Sequence, residues 1–159
     1  MTAETPTTRG KPVAVNRKAR HEYHVLETVQ AGIALQGTEV KSVRAGQAAL
    51  AGAYARIENG EAFLHGLTIA PYEQGNRFNH DPTRPRRLLL HKREIRKLQV
   101  QAEQKGLSLV PLAVVLVRGR VKIDLGVCRG KRMADKRETI RRRTADRDAE
   151  RAMRSTKNR

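Results

Sequence analysis

Long apolar runs and cysteine pairs are missing from this chain of 159 residues. Its one cysteine, Cys128, cannot form an internal disulfide, and because it lies in an apolar run we predict a buried, unreactive thiol. No apolar stretch approaches the ~20 residues of a membrane-spanning helix, and the N-terminus lacks the apolar core of a signal peptide. These absences disfavour a disulfide-stabilised secreted domain and any use of a membrane, so we expect a cytoplasmic protein.

Acidic residues are scarce relative to basic ones. The chain has 33 Lys and Arg against 16 Asp and Glu, which gives a net charge of +17 and a pI of about 11.2. Residues 1–20 carry +4, residues 21–128 carry +5 and residues 129–159 carry +8, while residues 77–97 alone carry +6. Because the rest of the middle region is nearly neutral, we interpret the basic blocks as surfaces for a polyanion.

Catalytic and metal-binding patterns are also absent. There is no glycine-rich phosphate loop, and no Ser or Cys lies in a nucleophile motif. His80 and Asp81 adjoin each other, but neighbouring side chains of an extended loop point apart, and the other histidines show no ligand spacing. We therefore predict no enzyme activity, no catalytic residues, no metal and no cofactor. A metal-dependent nuclease that uses His80 and Asp81 is kept only as a third hypothesis.

Aromatic residues are too few for extensive base stacking. The chain has no Trp, three Tyr and two Phe. Barrel proteins that bind single strands usually stack successive bases on aromatic side chains. A folded RNA that is held by its backbone and shape, with one or two stacked bases, is the better fit.

The sequence patterns predict about six short strands and two helices. Strands are expected from His21, with a break at Gly32, and in two hairpins whose turns are Asn59-Gly60 and Arg118-Gly119. Helices are expected at 37–46 and 88–106, and Pro111 is expected at an edge or bulge. In the strand RVKIDLGVC (120–128), apolar residues alternate with polar ones, which predicts one buried and one solvated face.

These elements predict a mainly β fold of α+β type, an antiparallel barrel or open sheet with flanking helices and a basic C-terminal tail. We assign residues 1–15 to a flexible arm, 16–128 to the barrel domain and 129–159 to the tail. The tail has no apolar stripe, so we expect it to be disordered alone and helical when a partner neutralises it.

The loop GNRFNHDPTRPRR (75–87) is the strongest candidate for binding. Pro82 and Pro85 stiffen the chain and favour extended geometry around Arg84. Arg84, Arg86 and Arg87 are then expected to be displayed on a strap that leads into the basic helix. Guanidinium groups suit phosphate oxygens, so the strap is interpreted as an RNA contact.

Five stretches together resemble one family. They are NRKARHEY (16–23), AGIALQGTEVKSVRAG (31–46), ENGEAFLHG (58–66), PYEQGNRFNHDPTRPRRLLLHKREI (71–95) and GVCRGKRMADKRETI (126–140). The combination resembles the SsrA-binding proteins of bacteria, also called small protein B, from about Val13 to Arg159. The resemblance implies an oligonucleotide-binding-type β-barrel that binds the tRNA-like domain of transfer-messenger RNA, one protein per RNA, and delivers it to stalled ribosomes.

The resemblance also implies that the tail enters the empty mRNA channel near the decoding centre and contacts 16S rRNA. Together with the residue patterns it nominates an RNA face of Asn16, Lys18, Arg20, His21, Gln30, Lys41, Arg44, Asn76, Arg77, Asn79, His80, Arg84, Arg86, Arg87, Lys92, Arg93 and Lys122. It nominates a ribosome-binding tail of Gly130, Lys131, Arg132, Asp135, Lys136, Arg137, Ile140 and Met153.

Two positions depart from the family pattern. Gln30 stands where members often carry Glu, and Ala134 stands where some relatives place His or Tyr before the DKR sequence. Gln30 keeps the hydrogen bonding of an acid without its charge, and Ala134 cannot stack on a base.

The alternative function is that of a general structured-RNA-binding or ribosomal protein.

Overall fold

The computed structural model describes residues 10–74, 79–131 and 133–157. Asn76, Arg77 and Arg132 lie outside the described residues, as do the side chains of Asp135 and Lys136. The helices are α1 (Arg17–Glu22), α2 (Gly37–Arg44), α3 (Lys92–Glu103) and α4 (Met133–Lys157). The strands are β1 (Lys11–Val15), β2 (Tyr23–Ile33), β3 (Ala48–Ala49), β4 (Tyr54–Glu58), β5 (Glu61–His65), β6 (Thr68–Ile69), β7 (Arg86–Leu89), β8 (Ser108–Val117) and β9 (Arg120–Gly130).

Seven strands form one antiparallel sheet in the order β1-β8-β9-β2-β7-β5-β4, and β3 pairs with β6. Strand β4, at one end of this order, comes back into contact with β8, so the sheet curls into a small barrel. The buried side chains that fill it come from β2, β4, β5, β7, β8 and β9, with Val43 of α2 and Leu98 of α3 among those that close it. The predicted fold class, a mainly β barrel with flanking helices, is confirmed.

Both predicted hairpin turns are present. Asn59 and Gly60 have φ of 50° and 76°, and Arg118 and Gly119 have φ of 51° and 78°. Positive φ at both central residues is the signature of a type I′ turn, whose twist matches that of the flanking strands. Each hairpin is therefore set by two residues of local sequence.

A second, smaller apolar cluster covers the outer face of the barrel. Ala19 of α1 packs with Val110, Leu112 and Cys128. Strand β9 is consequently buried on both faces from Ile123 to Cys128, so the prediction of one solvated face is wrong. Burial raises the pKa of the Cys128 thiol to about 11, as predicted for an unreactive cysteine.

Several predicted boundaries are corrected. Residues 11–15, assigned to a flexible arm, form β1 and pair with β8 from Lys11↔Leu116 to Val15↔Ala113. Residues 17–22 form α1, so the first strand begins at Tyr23 instead of His21, and it runs through Gly32 without a break. Leu88 and Leu89 belong to β7 instead of a helix, and β9 continues past Cys128 to Gly130. Long-range pairing, which local patterns do not report, stabilises these segments.

Asn16 joins α1 to a bulge in β8. Its Oδ1 accepts a hydrogen bond from the N–H of Ala19 at 3.2 Å, which caps the helix. Its Nδ2 donates to the carbonyl of Pro111 at 2.9 Å, at the irregularity between Pro111 and Ala113. Pro111 thus lies at a bulge, as predicted, and Asn16 is buried.

A buried carboxylate binds two arginines in the wall of the barrel. Glu39 of α2 and Arg86 of β7 both have 0% exposed side chains, and Arg86 Nε donates to Glu39 Oε2 at 2.6 Å. Arg84 Nη2 donates to the other carboxylate oxygen. Arg86 also donates to the carbonyls of Leu67 and Pro82, so this cluster connects α2, β7 and the segment before β6.

The pKa of Glu39 is lowered from its ordinary value. Burial alone raises it, but hydrogen bonds from Arg84, from the backbone N–H of Gln36 and from Arg86 together outweigh burial. The carboxylate therefore stays ionised at neutral pH, where the ion pair is part of the folded state.

We expect Glu39→Gln to lower the free energy of unfolding by about 3–5 kcal/mol at pH 7, because it leaves the buried Arg86 guanidinium uncompensated. Urea denaturation measures the change. The matched control is Glu61→Gln, which removes an exposed carboxylate 3.3 Å from Arg87 and should cost less than about 1 kcal/mol. Equal losses for the two variants would contradict a structural role for Glu39.

The contribution of Glu39 should also depend on pH. Since its folded-state pKa lies below the ordinary value of 4.5, the stabilisation is fully present above about pH 4.5 and is lost as pH falls through the folded-state pKa. The difference in unfolding free energy between the wild type and Glu39→Gln should therefore shrink on acidification. Denaturation curves between neutral and strongly acid pH test this; a difference that stays constant would argue against it.

Candidate RNA-binding surface

The loop before β7 is shaped by its own polar residues. Asn79 Nδ2 donates to the Tyr72 carbonyl at 2.7 Å, and its Oδ1 accepts from the Tyr72 N–H at 2.9 Å. His80 is buried, with Nε2 2.9 Å from the Ile69 carbonyl and Nδ1 2.9 Å from Thr38 Oγ1. A carbonyl only accepts, so Nε2 carries the proton and, in the neutral ring, Nδ1 accepts from the hydroxyl. Asp81 accepts from the Thr83 N–H and closes the predicted turn.

The structure therefore corrects part of the nominated RNA face. Arg86, His80 and Asn16 are buried, and each is engaged in hydrogen bonds within the protein. Arg84 is mostly buried against Glu39 and the Ala34 carbonyl. The strap does not display three arginines: of Arg84, Arg86 and Arg87, only Arg87 is exposed. Alternation along β7 places Arg87 outward and Arg86 inward.

Four of the nominated residues meet at one groove. The groove has a volume of about 540 Å³ and lies where β2, β7, β9 and the start of α3 adjoin. Gln30, Arg87, Lys92 and Lys122 line it. Three of the four carry a positive charge, and Gln30 adds amide hydrogen-bonding groups.

Gly32 forms part of the groove floor. A Cβ at this position would lie 3.1 Å from the Leu89 Cβ and 3.6 Å from the Lys122 ammonium. The missing side chain thus leaves the space between Leu89 and Lys122 open to a ligand. Leu89 is 52% exposed, and it is the one large apolar side chain of the described residues that is both strongly exposed and part of this groove.

Gln30 and Lys122 differ in exposure and in how their side chains are held. Gln30 is exposed, and its Nε2 donates to the buried Asp124 at 3.1 Å, which orients the amide and leaves its oxygen available. Lys122 is half-buried and pairs in register with Gly32. A lysine ammonium beside a glycine, where no side chain intervenes, can approach a phosphate closely.

The nominated cations of α1 and α2 lie outside the groove. On α1, Lys18 and Arg20 are exposed and His21 is half-buried; Lys18 is 3.7 Å from Glu22. On α2, Lys41 lies over the Tyr72 ring at 5.4 Å, and Arg44 Nη2 donates to the Gly119 carbonyl at 2.9 Å. These residues do not converge with Gln30 and Lys122.

Helix α3 carries both engaged and exposed cations. Lys97 Nζ is 2.8 Å from Glu27, and hydrogen bonds from Lys97 and then Gln101 lower the pKa of that carboxyl despite partial burial. Lys92 and Arg93 are exposed at the other end of the helix, near the groove. Lys97 therefore fastens α3 to β2, while the N-terminal turn offers free positive charge.

Sequence reasoning missed the apolar contact of Leu89. The run LLL (88–90) is predicted to be the start of a helix, and that prediction singles out none of its three leucines. In a strand its alternation buries Leu88 and exposes Leu89. The available signal was Pro85, which disfavours helical geometry just before the run.

The tail begins as an extension of the sheet. Gly130 pairs with Tyr23 at the end of β9, and the Lys131 N–H donates to the Glu22 carbonyl at 2.8 Å. Residues 133–157 then form α4, on which Arg137, Ile140 and Met153 are exposed. Ile140 and Met153 are 51% and 69% exposed, so both remain available to a partner.

No three His, Cys, Asp or Glu side chains come together as metal ligands within residues 10–74, 79–131 and 133–157. Over the same residues, none of the helices has the length and apolar character needed to cross a membrane.

Known proteins are similar to this chain in sequence and in fold. The SmpB protein family model matches residues 13–155. An SsrA-binding protein of Shouchella clausii is 56% identical over 147 residues, covering 92% of this chain and 94% of the relative. One from Desulforamulus reducens is 56% identical over 156 residues, covering 97% of both.

A solved chain described as "tmRNA-SmpB: a journey to the center of the bacterial ribosome" is 54% identical, with a TM-score of 0.64. It matches 80% of this chain and 94% of its own length. The family-model match and these relatives, at more than half identity over nearly full length, show that this chain belongs to the SmpB family of SsrA-binding proteins.

Proposed function

We propose that this protein binds the tRNA-like domain of transfer-messenger RNA and delivers it to stalled ribosomes in trans-translation. The observation that carries the proposal is the groove in which Arg87, Lys92 and Lys122 converge with Gln30, in a chain whose relatives are named for SsrA binding. It acts as a binding module in the cytoplasm, one molecule per RNA, with no chemistry of its own.

The groove suits a folded RNA that is recognised through its backbone. Its cations can neutralise phosphates, while the Gln30 amide and the Leu89 side chain offer one polar and one apolar contact to a base or ribose. Aromatic stacking contributes little there, because His91 is the one described residue lining the groove that has an aromatic ring. These features favour a structured RNA over a generic single strand.

The tail supplies the second half of the function. Helix α4 is exposed along its described length and strongly basic, so it is suited to an rRNA-lined channel. We propose that it enters the empty mRNA channel near the decoding centre, where 16S rRNA neutralises its charge. Arg137, Ile140 and Met153, which are exposed on α4, contact the ribosome together with Gly130, Arg132, Asp135 and Lys136, whereas the Lys131 ammonium bonds within the protein. Disorder of the free tail stays a prediction.

We expect Lys122→Gln to weaken binding of the tRNA-like RNA and to flatten the slope of log affinity against log salt by about 0.7–0.9, the value of one lost phosphate contact. Fluorescence anisotropy at several KCl concentrations measures both quantities. Lys105→Gln is the control, since it removes an exposed lysine beyond α3 and outside the groove. Equal slopes for the two variants, or equal wild-type affinity for an unstructured RNA of the same length, would count against the proposal.

Deleting residues 132–159 should separate RNA binding from delivery. This truncation keeps Gly130 and Lys131, which belong to the sheet and its junction with α1. We expect the truncated protein to bind the tRNA-like domain with the same groove and to fail to support peptide tagging on ribosomes stalled without a stop codon. A general RNA-binding or ribosomal protein would instead lose mainly RNA affinity. Binding and tagging assays on the same preparations decide between them.

A further inference from the structure

One residue, Lys131, provides two donors to the C-terminal end of α1. Its backbone N–H donates to the Glu22 carbonyl at 2.8 Å, and its ammonium donates to the Arg20 carbonyl at 3.1 Å. The last carbonyls of a helix have no partner within it, and the helix dipole makes that end negative. The ammonium thus lies where both hydrogen bonding and electrostatics favour it.

The strand end that carries Lys131 is held on one side only. The pairing of β9 with β8 ends at Ser108↔Cys128, whereas its pairing with β2 continues to Tyr23↔Gly130. Arg129 and Gly130 are exposed, and α4 begins only two residues after Lys131. The bonds from Lys131 therefore fasten the chain to the barrel just before the tail starts.

The helix that Lys131 caps is itself fixed to the barrel. Asn16, at its N-terminus, donates through its backbone N–H to the Leu112 carbonyl at 2.8 Å and through Nδ2 to the Pro111 carbonyl. Ala19 is buried in the outer cluster, and α4 contacts α1. A chain attached to such a helix leaves the barrel in a defined direction.

We propose that Lys131 is a positioning residue, which directs the tail by capping the C-terminus of α1. The inference rests on the proposed function, because direction matters only if the tail must enter a channel while the barrel is bound to RNA. The ammonium then serves an intramolecular contact, whereas Arg137 and the rest of α4 face the ribosome. A directed tail has a higher effective concentration at its site than one that swings freely.

The test compares Lys131→Met with Lys131→Arg in the full chain, and uses Lys105→Met as a control for the loss of one exposed lysine. Hydrogen exchange in the free protein should be about two- to fivefold faster for Lys131→Met in the last turn of α1 and at residues 129–131, the effect of losing a cation at a helix C-terminus. Lys131→Arg and the control should exchange like the wild type.

The same variants are then assayed for function. Lys131→Met should bind the tRNA-like domain within about twofold of the wild type, yet support tagging about tenfold less well, because the tail is no longer directed. Lys131→Arg, which can still reach the Arg20 carbonyl, should restore tagging.

Unchanged exchange in Lys131→Met would overturn the inference, and so would faster exchange with normal tagging. Restored exchange without restored tagging in Lys131→Arg would also overturn it, since it would mean that lysine is needed for another contact. Failure of the wild type to bind the RNA or to support tagging would instead refute the proposed function, while the exchange measurements would still report on the cap.

Discussion

The barrel depends on one buried carboxylate. Glu39 accepts hydrogen bonds from both Arg86 and Arg84. Arg86 also donates to the carbonyls of Leu67 and Pro82, and so connects them to α2. Removing one partner of such a pair lowers the free energy of unfolding by about 3–5 kcal/mol, because the other charge stays buried without compensation. Strand β7 is paired with β2 and β5, and its alternation turns Arg87 and Leu89 outward while Arg86 bonds to Glu39 on the inner side. Strand β7 forms one wall of the groove, and the bond between Arg86 and Glu39 fixes the opposite face of that strand.

The positive charge of the chain accordingly has two uses. Arg86, Arg84, Lys97 and Arg44 are bound to carboxylates or carbonyls of the protein, where they hold α2, α3, β7 and the β8–β9 turn in place. Lys92, Arg93 and Lys122 lie at or near the groove, as does Arg87, which also pairs with Glu61 at 3.3 Å, and the charged side chains that the structure describes on α4 are solvent-exposed. Net charge alone therefore overstates the RNA-binding surface. The second group is the one whose interactions RNA and salt should change.

Local sequence was sufficient where structure is set by a few adjacent residues. The type I′ turns at Asn59-Gly60 and Arg118-Gly119 and helix α2 follow from turn and capping chemistry. The sequence patterns did not predict burial where it depends on a partner that is distant along the chain. The burial of Arg86 requires Glu39, 47 positions earlier, and the burial of His80 requires Thr38, 42 positions earlier. The sequence shows that residues 77–97 are strongly basic, but which of these side chains face solvent depends on those pairings.

Helix α1 is bonded to the rest of the protein at both of its ends, and it is the element through which we propose that the barrel directs the tail. Helix α1 has only six residues, too few to be stable alone, and it exists because Asn16 caps it and Ala19 is buried. The same scaffold presents Lys18 and Arg20 to solvent and accepts Lys131 at its C-terminus. An element this small can transmit direction only if it is rigid, and the buried Asn16 supplies that rigidity by bonding to β8. The connection between the barrel and the start of α4 thus depends on polar contacts at the two ends of α1.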